Sequence, residues 1–179
     1  FYIFISHMNL ELILGSQMTK EQNKILNDWI SDDHEKFDLL MSHFLYGDVR
    51  VCQRASWVFC KVCEDRPWMM IKWIPKILKA MEQPKHNAIV RNSVRAFQFL
   101  DKIPEEYEGQ LFEICFQYLV TPSSPIAIKA FSMSVCRKIA MKYPDLKGEL
   151  IDVIEEVMVN GSAGIISRGK REIRFLANQ

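Results

Sequence analysis

The feature that most constrains this chain is a repeat of about 40 residues. Four short stretches carry it: Asp48-Val-Arg50, Ile89-Val-Arg91, Ala127-Ile-Lys129 and Ile166-Ser-Arg168, whose basic residues lie 41, 38 and 39 positions apart. Prolines recur in the same rhythm at Pro67, Pro104 and Pro144, placed to open the next helix at its first position. A second set of breaks falls between them, at Gly47, Pro84, Thr121-Pro-Ser-Ser-Pro125 and Gly161-Ser-Ala-Gly164. Two breaks per unit divide each repeat into two helices. Such a hairpin cannot bury its apolar face alone, so neighbouring hairpins must stack.

Periodicity within the segments agrees. Val51, Cys52, Ala55, Val58, Phe59, Val62 and Cys63 form a wide helical stripe, as do Val90, Val94, Ala96, Phe97, Leu100 and Ile103. The partner segments read Ile71, Ile74, Ile77, Leu78, Met81, then Leu111, Phe112, Ile114, Cys115, Leu119, then Leu150, Ile151, Val153, Ile154, Val157. No stretch alternates with period two for long enough to make a strand. The spacing predicts helices near 19–30, 33–46, 48–65, 69–82, 87–102, 106–120, 126–142, 147–159 and 164–176. Pro75 must either start its helix or kink it.

Composition narrows the class further. Of 179 residues, 49% are hydrophobic and 25% charged, the balance of a globular domain rather than a disordered tail. Seven Gly and seven Pro are too few for a turn-dense β-sandwich. Cys52, Cys60, Cys63, Cys115 and Cys136 are odd in number and scattered through apolar runs, which reads as reduced thiols in a cytoplasmic protein. Phe1-Tyr-Ile-Phe-Ile5 is too short for a membrane span, and no membrane association is expected. Thr19-Lys-Glu-Gln22 is a capping-box pattern just after Met18. Residues 1–17 are therefore expected to be an N-terminal extension, with one helical-repeat domain over 18–179.

At these residues the chain resembles the HEAT-repeat family, whose hairpins pair an outer helix with an inner one that begins Val-Arg and continues with small residues. Val49-Arg50 with Ala55 and Val90-Arg91 with Ala96 match best; Ile128-Lys129 and Ser167-Arg168 match more loosely. The resemblance covers residues 32–176 and implies an all-α fold, an α–α superhelix of about four hairpins. One departure is clear. The family often places an Asp six residues before the Arg to form a ladder between repeats, and here those positions are Phe44, Lys85, Ser123 and Ser162. That ladder is not expected. The chain also looks like short bacterial HEAT-like proteins, some of which carry an adenylosuccinate lyase label. Gly161-Ser-Ala-Gly164 lacks the Met, Pro, Lys and Asn of the catalytic loop in such lyases, so that activity is rejected.

Residues with the potential for chemistry are better explained by structure. Cys60-Lys-Val-Cys63 lies late in a helix, not at the helix N-terminus that lowers a redox thiol's pKa. A zinc site would need two further ligands at suitable spacing. His7, His34, His43 and His86 are dispersed. Asp32-Asp-His-Glu35 reads as a capping box of Asp32 with Glu35 rather than a metal cluster. No phosphate loop or nucleophile constellation is visible, and no catalytic residue, metal or cofactor is expected.

Charge is segregated instead. Segments 48–66, 85–103, 126–143 and 164–176 carry +1, +3, +4 and +3, whereas 68–83, 105–120 and 145–160 carry +2, −4 and −4. The resemblance implies that the first set lines a concave surface. Arg50, Arg54, Trp57 and Lys61 fall at i, i+4, i+7 and i+11, and Arg91, Arg95, Gln98 and Lys102 repeat those offsets. Lys129 and Arg168 continue the set in the later repeats. These ten residues are the candidate binding surface. The expected function is a non-catalytic interaction module for an acidic protein or peptide. The alternative is a nucleic-acid-binding repeat protein. A glycosylase-like enzyme ranks behind both, since the stripe of Trp57 offers no convincing acidic partner.

Overall fold

The computed structural model describes residues 10–178. Among them there is no strand, and ten α-helices carry the fold: α1 (Leu10–Gly15), α2 (Lys20–Ile30), α3 (His34–Tyr46), α4 (Val49–Asp65), α5 (Ile74–Glu82), α6 (Asn87–Phe97), α7 (Glu105–Val120), α8 (Ile126–Ala140), α9 (Lys147–Val159) and α10 (Ala163–Ala177). Two 3-10 segments, Pro67–Trp73 and Pro144–Leu146, precede α5 and α9. The chain divides into two compact units, Phe1–Leu100 and Asp101–Gln179. No helix among the described residues is long and apolar enough to cross a membrane.

Local sequence sets the helix ends. At α2 the capping box is complete: Thr19 Oγ1 accepts from the Gln22 amide at 3.1 Å, and Gln22 Oε1 accepts from the Thr19 amide at 2.8 Å. The cap of α3 is Asp33 rather than Asp32; its carboxylate accepts from the amides of Glu35 and Lys36 at 3.0 and 3.2 Å. Asp48 caps α4 by accepting from the Val51 amide at 2.9 Å. Pro75 starts its helix and does not kink it, standing second in α5 after the 3-10 segment. Pro67 and Pro144 open 3-10 segments, and Pro104 sits one place outside α7 in an extended conformation. That is natural for a residue lacking an N–H but having a rigid φ.

In the first unit α4 is the central helix, packing against α1, α2, α3, α6 and the first 3-10 segment, while α5 packs on α6. Phe59 of α4 stacks on Phe44 with centroids 4.6 Å apart and lies 6.3 Å from Phe37; all three rings are buried. Residues 10–15 fall within the stretch expected to be an extension; as α1 they pack on α4 with Leu10 and Leu14 buried. Residues 1–9 lie outside the described residues. In the second unit α8 packs against α7, α9 and α10, around Leu111, Cys115, Ile128, Val135, Cys136, Leu150 and Ile154. The hairpins α3–α4, α5–α6, α7–α8 and α9–α10 fit the helix pairs expected from the breaks.

Candidate binding surface

In the first unit, α4 holds Arg50, Arg54, Trp57 and Lys61 and α6 holds Arg91 and Arg95, six of the ten candidate residues. Arg50 and Arg91 are exposed and have no ion-pair partner among the described residues. Arg54 is half-buried and donates through Nη1 to the Leu14 carbonyl at 2.8 Å, capping the C-terminal end of α1. Trp57 is 39% exposed. Lys61 lies 2.8 Å from Asp65 and 3.6 Å from Glu64. Arg95 reaches the same Glu64 at 3.7 Å and lies over the Phe99 ring at 5.8 Å.

The row therefore contains acids as well as bases. Glu64 is seven positions after Trp57, two helical turns along the same face, and it sits between Lys61 and Arg95. Its spacing was readable in the sequence; its partner Arg95 was not, because that contact crosses between helices. Gln98 is the C-cap of α6 and half-buried. Lys102 is exposed but lies beyond α6, which ends at Phe97 instead of reaching 102. Pro104 disfavours helical backbone at Ile103, and the chain leaves the helix before it.

In the second unit, Lys129 is half-buried in the first turn of α8 and Arg168 half-buried in α10. Around Arg168 lies a cluster that the sequence pattern did not reveal. Glu172 is 1% exposed, yet Ser134 Oγ donates to its Oε1 at 2.6 Å and Arg137 Nε to its Oε2 at 2.6 Å. Arg171 donates to Oε1 through Nη2 at 2.7 Å and Nε at 3.2 Å. Arg168 Nη1 donates to Ser134 Oγ at 2.7 Å and stands 3.7 Å from Oε1. Burial would raise the carboxyl's proton affinity, but the hydrogen bonds from Ser134, Arg171 and Arg137 outweigh it and hold the group below the usual range.

The other chemistry-bearing residues are part of the packing. Cys60 and Cys63 are 2% and 0% exposed, and burial pushes the Cys60 thiol up to about 11 and the Cys63 thiol well above its ordinary value. His86 caps α6, its Nδ1 accepting from the Ala88 amide at 3.0 Å while the Gln53 amide lies 2.8 Å from Nε2. His34 and His43 belong to α3, and His7 lies outside the described residues.

The paired-helix repeats now have a match among known families: a model described as a HEAT repeat domain covers residues 11–174. The chain belongs to the HEAT-repeat family. No curated protein and no solved structure matches it. HEAT repeats as a class mediate protein–protein interaction. Within each unit of this HEAT protein, bonds between residues 33 to 39 positions apart tie neighbouring elements together. Asn92 of α6 donates to Ser56 of α4 at 2.7 Å with both side chains buried. Asn27 of α2 donates to Asp65 at 2.8 Å and accepts from Arg66 at 2.6 Å. Ser134 and Glu172 make the corresponding link between α8 and α10.

Proposed function

We propose that this HEAT protein is a non-catalytic interaction module that binds an acidic protein or peptide on the basic faces of the second helices of its hairpins. One observation carries the reading. In the second unit, α8 and α10 hold seven basic residues and a single acid, Glu172, which is buried; α7 holds four acids and no base. Charges separated in this way on adjacent helices create a local field that a net charge of +1 conceals. In the first unit Arg50 and Arg91 add exposed cations on α4 and α6. Glu64 and Asp65 weigh against a continuous phosphate-binding row there, which favours a partner of mixed composition over a nucleic-acid backbone.

Fluorescence anisotropy with a labelled Glu-rich peptide and a charge-matched DNA duplex tests this at two salt concentrations. The peptide is expected to bind, and the double variant Arg50→Gln with Arg91→Gln to weaken it roughly tenfold, about 1.4 kcal/mol, with the helical circular dichroism unchanged. Unchanged peptide affinity in the double variant would remove α4 and α6 from the surface. Preferential duplex binding, with a log–log salt slope that falls by about 0.9 for each lost contact, would replace this reading with the nucleic-acid one.

A further inference from the structure

The Glu172 cluster holds more cationic charge than its structural task needs. A buried carboxylate must be paired and have its lone pairs satisfied. Arg137 and Ser134, each at 2.6 Å, already meet both needs across α8 and α10. Arg171 and Arg168 add two further guanidiniums, at 2.7 and 3.7 Å from the same Oε1. Three guanidiniums therefore converge on one carboxylate, a concentration of positive charge that a further anion would relieve.

The guanidiniums reach the surface. The side chains of Arg137, Arg168 and Arg171 retain 25%, 23% and 53% of their exposure, whereas Glu172 beneath them retains 1%. The Arg137 guanidinium lies 5.0 Å over the Phe175 ring, and that ring is itself 53% exposed. An aromatic surface thus adjoins the cationic one. Lys138 follows Arg137 in sequence, and its ammonium is destabilised by burial and by the Arg137 charge, which Asp101 partly offsets.

We propose that the guanidinium cluster of Arg137, Arg168 and Arg171 on α8 and α10 binds a phosphomonoester carried on a side chain of the protein partner. The inference rests on the acidic-partner reading above and narrows the acid to a phosphoryl group. Charge is the discriminating argument: a phosphomonoester carries about −1.5 to −2 near pH 7, the most that a single anionic group on a side chain can offer to a set of three guanidiniums. A carboxylate or a phosphodiester carries only one negative charge. Planar guanidinium forks suit the phosphoryl oxygens, and Glu172 holds the three forks in place beforehand. Phe175 provides apolar surface for the residue that carries the phosphate.

The test uses the full chain and three labelled Gly/Ala-rich peptides that differ only at a central phosphoserine, Glu or Ser. The phosphopeptide is expected to bind roughly tenfold or more tightly than the Glu peptide. Arg171→Gln, at the most exposed of the three arginines, should abolish that preference with the helical circular dichroism retained, and Arg171→Lys should restore part of it. Equal binding of the phospho and Glu peptides would overturn the phosphoryl assignment while leaving the acidic-partner reading intact. No binding by either peptide would overturn both. Full phosphopeptide affinity in Arg171→Gln would overturn the site. Inorganic phosphate binding as tightly as the phosphopeptide would assign the cluster to a free ion instead, and a short DNA strand displacing the peptide more effectively would assign it to nucleic acid.

Discussion

Glu172 keeps its charge because of its neighbours and in spite of its burial. A carboxyl whose folded-state pKa lies below its unfolded value of 4.5 contributes stability that is fully present above that value and is lost as pH falls through the folded pKa. Thermal melts from pH 7 to pH 3 should therefore show an acid-side loss of stability that is shallower in Glu172→Gln. At pH 7 that variant should itself be less stable by about 3–5 kcal/mol, since it leaves the guanidiniums that converge on this buried position without their counter-charge. Cys60 makes a second residue-scale prediction. Its thiol is raised to about 11 by burial, and all five cysteines are free and buried. Ellman's reagent at pH 8 should leave the native protein nearly unlabelled and react with five thiols after denaturation; rapid native labelling of Cys60 would contradict the packing.

Among the helices and their junctions, the α2–α3 turn is strained at Ser31. Its φ of 45° and ψ of −131° place a residue with a Cβ where glycine is at ease. Ser31→Gly removes that strain but adds unfolded-chain freedom, so the expected net gain is at most roughly 1 kcal/mol, visible as a small rise in melting temperature. The α9–α10 crossing runs the other way. A Cβ at Gly169 would stand 2.5 Å from Met158 Sδ and 3.0 Å from Ile154 Cγ2. Gly169→Ala should cost about 1–3 kcal/mol by overpacking, measured by urea unfolding, and a neutral result would mean that Met158 swings aside freely. Neither feature was apparent beforehand: Gly169 looks like an ordinary helix glycine, and Ser31 like an ordinary capping residue.

For the molecule as a whole, the near-zero net charge and the local segregation act at different ranges. Raising salt from about 0.05 to 0.3 M should weaken an acidic-peptide complex markedly while moving the melting temperature little, because exposed cations are screened and the contacts on Glu172 are not. A melting temperature that fell as steeply as the affinity would place the arginines in folding alone. What the sequence determined by itself was the helical class, the four hairpins and most helix boundaries, because these follow from local causes: a 3.6-residue apolar period, caps at Thr19 and Asp48, and prolines that limit their own φ and that of the residue before them. It also determined which helices are basic, since that is a count along the chain. It did not determine which cations are compensated. Lys61 and Glu64 share a helix face, but Arg95 meets Glu64, and Arg54 meets Leu14, across separate helices. The convergence of Arg137, Arg168 and Arg171 on one buried carboxylate is likewise a tertiary fact. Periodicity states which way a side chain leaves its own helix; only the packing of helix against helix decides what charge it finds there, and a Coulomb interaction depends on that distance.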